Sequence, residues 1–573
     1  DASPQPAAQP EAAPAPEAEP AAIEAEPAPA EGGPSAQEPA VEAAPAAEPA
    51  VEAEAEAYDA GFANPAAIGP GQVEYDQPMF EETAHMSLWY PLRQDVVQAP
   101  EKASGGQIFW RDMQELLNIS IEFIEPGQAS CTERYNLMCA AGDMPDLIME
   151  SLCGSGDGGA YTGGYDKALE DEVYLDLTDL IEDNCPNYWY WINLNESNRR
   201  DAYTDSGKMG AFLTVNGEEG LANLGIGVNA DMLEATGLPM PETVSDWTEM
   251  FAALKANGVQ YPCSIDSSLN ILEGGAAAAM GATLNVGFIL DENDNLVFCP
   301  TTPETRSYLE LLAEFYANGY MDPDFISAAQ VANNANFNNG ITFTFRLMQQ
   351  DIDQYYDQYG IHVAAAPAIR AEDAPGHGMT LIGEASRSLV GNIGMAVSSN
   401  VEDQDAVLKT MDWFYSPYGG IMSNYGIEGV TYEYNEEGVP MINAFYQQRT
   451  DGVFNRGIYT VSGDFGLVWP NCSVTGATEE AQEAMEGWSS QEWDGYVYYS
   501  LPAVSLTAQE SDATTSIVSD MDTLMDNTFM SWVVGVAPLN DDTWNEFVAA
   551  IEGMGVDTVR DAYQAAYERY LEK

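Results

Sequence analysis

Seven side chains stand at strand ends or in loops where they could hold a ligand: Trp89, Tyr90, Glu150, Asp266, Arg346, Glu384 and Trp469. Trp89 and Tyr90 end the apolar run that starts at His85, and Glu150 follows the run Asp146–Met149. Asp266 sits in the loop SIDSSLN, Arg346 in TFTFRLMQQ, Glu384 in GEASRS and Trp469 in GLVWPN. Flat aromatic rings suit a ligand with apolar C–H faces, and carboxylates with a guanidinium suit a rim of hydroxyl groups. That is the chemistry of recognising a polyol ring.

Other chemistry fits the residues poorly. His85, His362 and His377 are isolated and belong to no nucleophile motif, and no Cys-x2-Cys spacing offers a zinc site. Around Gly207-Lys208, Ala202 stands where a phosphate-binding loop needs its first glycine, and Met209 stands where it needs Ser or Thr. Asp291-x-Asn293-x-Asn295 starts like a calcium loop, but Leu296 replaces the required glycine and Thr302 the bidentate glutamate. A hairpin turn between Phe288–Leu290 and Leu296–Phe298 explains those residues better. Glycoside hydrolysis needs two carboxylates, but 92 acidic residues make a chance pair almost certain, so no pair is singled out. No cofactor and no metal is implied.

The charge narrows the partners. Against those 92 acids stand 19 bases, a net charge of −73 over 573 residues. Nucleic acid and anionic membrane surfaces need clustered Lys and Arg, which this chain lacks. Residues 1 to about 60 are almost wholly Ala, Pro and Glu and hold 14 of the acids with no base. With no apolar face to bury, this stretch is expected to be a disordered acidic linker reaching on the order of 150 Å if extended. The remaining 78 acids and 19 bases leave −59 on the rest. No apolar run is long enough to span a bilayer. Of seven cysteines, Cys131 and Cys139 fall eight residues apart on one expected helix, roughly 12 Å by helical rise and too far to bridge. The pairing of the others stays open.

Those candidate residues need a frame, and the periodicity supplies an α/β one. Alternating strand and helix patterns run from the strand at His85 through a helix Gly106–Leu117, a strand Ile119–Ile124, a helix Cys131–Ala141 and the strand Asp146–Met149. This is the opening of an open, mostly parallel sheet. Further on, Leu224–Val228 reads as a strand, Asp231–Thr236 as a short helix stopped at Gly237, and Thr243 with Asp246 as a near capping box. Trp247, Phe251 and Leu254 repeat at helical spacing, so Trp247 is expected in the core, as are Trp413 and Trp544. The run Tyr188-Trp-Tyr-Trp191 reads as packing.

The wording of several stretches is more specific. NLMCAAGDMPDLIM (Asn136–Met149), GIGVNADMLEATGLPMPETVSDW (Gly225–Trp247), ETRSYLELLAEFYANGYMDPDF (Glu304–Phe325) and NYGIEGV (Asn424–Val430) resemble the extracellular solute-binding proteins of carbohydrate ABC transporters. So does the closing segment ending in QAAYERY (Gln564–Tyr570), as in the longer, lipoprotein-type members. Val228-Asn229 stands where that family usually has an aromatic and Arg.

The resemblance implies a two-lobe α/β fold of the periplasmic-binding-protein type II, with residues 1–81 as the tether. It implies a first lobe of about 82–222 and 366–455, and a second lobe of 223–365 and 456–573. It also implies an oligosaccharide ligand in the inter-lobe cleft, permease subunits of an ABC importer as partners, closure of the lobes about the ligand, and attachment to the outside of a Gram-positive type of cell by an N-terminal lipid anchor. No enzymatic step belongs to that reading. A secreted glycan-active hydrolase and a cell-surface adhesin are the alternatives; the first would alter a glycan and the second would ignore small sugars.

Overall fold

The computed structural model describes residues 64–91, 107–126, 131–149, 161, 164–291, 293, 295–327, 330–352, 355–370, 378–380, 388–450, 453–461, 465–475, 477–489, 496–502 and 504–573. The first β-α-β-α-β passage forms as its pattern dictates. Strands β1 (Ala84–Trp89), β2 (Ile119–Ile124) and β3 (Leu147–Met149) pair in parallel with β1 in the middle. β4 (Phe212–Asn216), β11 (Val390–Val397) and β16 (Leu467–Val468) complete a six-stranded sheet in the order β16-β4-β11-β3-β1-β2. β11 runs antiparallel to both neighbours, β3 and β4. Leu88, Leu147, Phe212, Met395 and Leu467 feed the core on one face; Trp89, Ile148, Leu213 and Ala396 feed the core on the other. A sheet covered on both faces buries consecutive residues, so alternation along its strands is weak.

A second body holds two sheets. β5 (Leu224–Asn229) lies between β8 (Thr344–Met348) and β9 (Val363–Ala365), antiparallel to each. The hairpin β6 (Phe288–Leu290) and β7 (Leu296–Phe298) joins β10 (Gly378–Thr380) and β17 (Tyr496–Ser500) in the order β10-β17-β6-β7. In the hairpin turn Asp291 Oδ1 accepts from the backbone N–H groups of Asn293 and Asn295, at 2.8 and 2.9 Å. Those residues build a turn. The helix Val244–Ala256 carries the expected capping box, with Thr243 and Asp246 each taking the other's backbone N–H. Its Trp247, Phe251 and Leu254 enter a core shared with the C-terminal helices through Trp532, Trp544 and Tyr570. Trp413 is equally buried in the first body, as are Tyr188 and Trp191.

Two small hairpins, β12 (Tyr432–Tyr434) with β13 (Pro440–Ile442) and β14 (Arg449–Thr450) with β15 (Val453–Phe454), stand apart from the large sheets.

Three differences from the sequence-based boundaries have clear causes. The body starts before residue 82, because apolar and hydrogen-bonding side chains in 64–80 dock on the first lobe. Tyr75 Oη donates to the buried Asp412 carboxylate at 2.6 Å, and Val73 N donates to Asn187 Oδ1 at 2.9 Å. Ala366 and Ile369 belong to the second core and Leu389 packs on the first, so the chain returns to the first lobe near 388 instead of 366. It also stays there past 455: β16 pairs with β4, and Phe465, Leu467, Trp469 and Cys472 fill the first core. The crossing follows, since Val474, Ala481, Met485 and Trp488 pack on the β8-β5-β9 sheet.

Ionic contacts also tie the two lobes together. Asp205 follows the helix Glu196–Ala202, whose Ala202 is in the first core; Arg569 and Lys573 extend from the helix Val556–Glu572 of the second. Lys573 Nζ lies 2.8 Å from Asp205 Oδ1 and donates to Tyr203 O at 3.0 Å. Arg569 Nε lies 3.3 Å from Asp205 Oδ2, and its two terminal nitrogens grip Glu510 at 2.9 and 2.7 Å. Beside them Tyr570 hydrogen-bonds the Asp201 carboxylate, and burial raises the pKa of that carboxyl group.

Cys131 is disulfide-bonded, whereas Cys185, Cys263, Cys299 and Cys472 are buried thiols. Burial pushes all four thiols up, so they stay protonated and unreactive. Among the described residues no helix is long and apolar enough to cross a membrane.

Candidate functional site

Three of the seven candidate side chains belong to packing. Trp89 is 1% exposed, its ring 6.3 Å from that of Tyr135 beneath the helix Cys131–Ala141. Tyr90 is 5% exposed and meets Trp110 edge-on at 5.7 Å. Trp469, 4% exposed, lies in the first core instead of opening the way into the second lobe; it crosses Trp191 at 6.1 Å. It also covers Gly217, where a Cβ would come within 2.7 Å of its ring, so only glycine lets the indole settle there. All three rings pack against protein in this structure. Glu150 and Glu384 lie outside the described residues.

Asp266 and Arg346 come together, and they do so around Glu273, which sequence reasoning missed. Arg346 sits on β8 directly opposite Ile226 of β5, so both project from one face of that sheet. The loop 264–274 covers that face. Its apolar residues Ile265, Leu269, Ile271 and Leu272 are buried in the second core. The wholly buried Tyr308 pins it from below, donating to Leu269 O at 2.9 Å and accepting from Ile271 N at 3.3 Å. Ser264 N donates to Thr344 Oγ1 of β8 at 2.9 Å.

With its apolar side chains anchored, the loop tolerates strained backbone. Leu269, Leu272 and Glu273 adopt left-handed φ values of 62°, 50° and 54°. Three such residues in five positions are uncommon outside functional sites, and each costs on the order of 1–3 kcal/mol. The result is to hold Glu273 toward Arg346: Glu273 Oε2 and Arg346 Nε are 3.8 Å apart, with side chains 25% and 37% exposed. That distance is an ion pair without a good hydrogen bond.

The electrostatics follow from this half-buried setting. Burial is the larger influence on Glu273 and raises its pKa from 4.5 to about 7; Arg346 opposes the rise and the nearby Asp266 adds to it. Asp266 uses Oδ1 to accept from Ser268 N at 2.9 Å, closing the turn. Arg346 Nε is buried and has no hydrogen-bond partner among the described residues. The site therefore holds two carboxylates and one guanidinium whose hydrogen-bonding capacity is largely unspent. Perturbed carboxyls beside an unpaired buried donor are a feature of binding sites and also of structural ion pairs.

Its place in the fold adds to this. The chain enters the second lobe at Asn223, whose carbonyl accepts from Gln349 N at 2.9 Å. Arg346 stands opposite Ile226, three residues along the sheet or about 10 Å from that entry. Arg346 is thus the middle residue of β8, with the loop 264–274 over that part of the sheet. Among the described residues no group of His, Cys, Asp and Glu is arranged to hold a metal ion.

No family model and no curated protein matches the sequence. Solved structures do match over nearly the whole chain. The alginate-binding protein AlgQ2 superposes on 86% of this chain and 100% of its own, with a TM-score of 0.61 at 16% identity. An HMO-binding, ABC-transporter-associated solute-binding protein from Bifidobacterium longum infantis covers 85% of this chain and 99% of its own, with a TM-score of 0.65 at 16% identity. FusA of S. pneumoniae, a substrate-binding protein solved with kestose, gives 0.62 at 15% identity, covering 85% and 99%. The chain has the two-lobe solute-binding fold. The α/β architecture expected from the sequence is therefore the one observed.

Proposed function

We propose that this protein is an exported solute-binding protein that captures an oligosaccharide between its lobes and hands it to the permease subunits of an ABC importer. The observation that carries this reading is the solute-binding fold, together with the half-buried Glu273–Arg346 pair beside Asp266. Sugar hydroxyls are good partners for carboxylates and guanidinium. Closure of the lobes is driven by contacts that ligand makes only in the closed state. The disulfide at Cys131 fits an oxidising, extracytoplasmic compartment. The acidic residues 1 to about 60 act as a tether, and a lipid anchor on a Gram-positive type of envelope completes the proposal.

A thermal-shift screen against a glycan panel tests it. Ligand at 100 times its dissociation constant stabilises the folded state by about 2.7 kcal/mol. The glycan that raises the midpoint is then incubated with the protein and weighed by mass spectrometry. Recovery of intact glycan is expected; cleavage above the buffer blank would make the protein a hydrolase, and no response to any glycan would favour an adhesin.

A further inference from the structure

The crossings between the lobes run side by side. The first leaves β4 at Asn216, the second reaches β11 through Ser388 and Leu389, and the third leaves β16 at Val468. Asn216 N donates to Leu389 O and Gly217 N to Val468 O, both at 2.8 Å. Asn471 ties the first and third together again, accepting from Leu221 N at 2.7 Å and donating to Glu219 O at 2.8 Å. Ends of elements such as these are where a hinge absorbs its changes in φ and ψ.

A further link, not covalent, stands against this bundle. The helix Glu196–Ala202 of the first lobe packs on the second crossing: Asn198 Oδ1 accepts from Leu389 N at 2.7 Å, and its amide donates to Trp191 O at 2.9 Å. On the same helix the Asp201 carboxylate accepts from the hydroxyls of Ser388, in that crossing, and Tyr570, in the second lobe. Asp205 then takes Arg569 and Lys573. Arg569, Tyr570 and Lys573 fall within about 100° of one another around their helix, so one face meets both carboxylates. The Tyr570 ring is fixed in the second core, and Arg569 is braced by Glu510 in the first turn of the helix Ala508–Val533. Both sides of the link are therefore rigid. Buried ion pairs add little net stability over apolar packing, and their best-attested use is to fix one arrangement among several.

Position decides which arrangement this one fixes. A contact at a hinge axis moves little while the lobes swing, whereas a contact at a lobe tip has to break. Asp201 shares its carboxylate between a crossing and the second lobe, which puts the link at the axis. We infer that the Asp201–Tyr570 and Asp205–Arg569–Lys573 contacts form a pivot, which stays made as the lobes swing about the crossings and suppresses the twisting that the crossings alone allow. The pivot rests on the two-lobe fold and on no property of the ligand, so it stands or falls apart from the oligosaccharide reading.

The test measures lobe separation in the free, whole chain by single-molecule energy transfer. Dyes are attached through unnatural amino acids at the exposed Glu133 of the first lobe and Glu249 of the second. Tyr570→Phe keeps the ring in the core and removes the hydroxyl that Asp201 accepts; Asp205→Ala removes the carboxylate shared by Arg569 and Lys573. In both variants the folded molecules are expected to show a broader distance distribution than the parent. A rotation of about 15° moves a dye roughly 25 Å from the pivot by about 6 Å, enough to read. Arg560→Ala, which breaks a pair within the same C-terminal helix, is expected to leave the distribution as it is. A contact that served stability alone would lower the unfolding midpoint and leave the folded distribution unchanged. That result in both pivot variants overturns the inference, as does equal broadening in Arg560→Ala.

Discussion

The ion cluster joining the lobes gives a prediction that the geometry fixes in size and sign. Asp205 and Lys573 have side chains only 12% and 11% exposed, and Arg569, 28% exposed, shares the same carboxylate. Asp205→Ala leaves the Lys573 ammonium without its close carboxylate partner, held by Tyr203 O and the Tyr570 ring, while Arg569 keeps its fork on Glu510. Removing one member of a buried pair typically costs about 3–5 kcal/mol. Retention of Glu510 by Arg569 and the remaining exposure reduce this to roughly 2–4 kcal/mol. Differential scanning calorimetry is the assay, because the contact joins two lobes with separate cores. At roughly 2 °C per kcal/mol for a lobe-sized unit, the midpoint should fall by about 4–8 °C, and one cooperative transition should broaden or split. Buried pairs are screened weakly, so the loss should persist in molar salt. Arg560, paired on the surface with Asp557 of the same helix, supplies the control, since Arg560→Ala should cost about 0–1 kcal/mol. An unchanged midpoint and an unsplit transition in Asp205→Ala would refute the view that this cluster couples the lobes.

Three further outcomes are expected. The pKa of Glu273 is raised in the fold to about 7, so the stability linked to its protonation is full below pH 4.5 and lost as the pH rises through 7. Glu273→Gln should therefore unfold later than the parent at pH 8, on the order of 1 kcal/mol after solvent screening, and equally at pH 4; a gap independent of pH would contradict the assignment. Trp89→Ala and Trp469→Ala should each lose about 3–5 kcal/mol in denaturant melts, as is expected of Trp247→Ala, yet bind ligand normally once folded; selective loss of binding would return them to the site. Deleting residues 1–60 should leave the unfolding midpoint unchanged, whereas deletion through 80 removes the Tyr75 bond to buried Asp412 and should cost at least about 2 kcal/mol.

The local grammar of the chain was legible in its sequence. The β-α-β-α-β opening, the Thr243–Asp246 capping box, the hairpin at Asp291 and the core roles of Trp247, Trp413 and Trp544 all depend on neighbours within a few residues. Short-range periodicity and capping chemistry encode such features directly. The docking of 64–80 was hidden because its few apolar residues follow a long acidic stretch, and their partners Asn187 and Asp412 lie far along the chain. Burial of Trp89, Tyr90 and Trp469 was undecidable at the level of pattern: a strand end can face a cleft or a second layer, and only the layers packed on both faces of this sheet settle it. Of the candidate site, Asp266 and Arg346 were visible as charged residues in suggestive places. Glu273 was not, because its role depends on a left-handed backbone held by Leu269, Leu272 and Tyr308, and on a strand 73 residues further on that brings Arg346 to it. Sequence thus determined which segments become strands and helices, since those choices are local. Tertiary structure decided which polar groups are left half-buried and short of partners, since that depends on what packs around them.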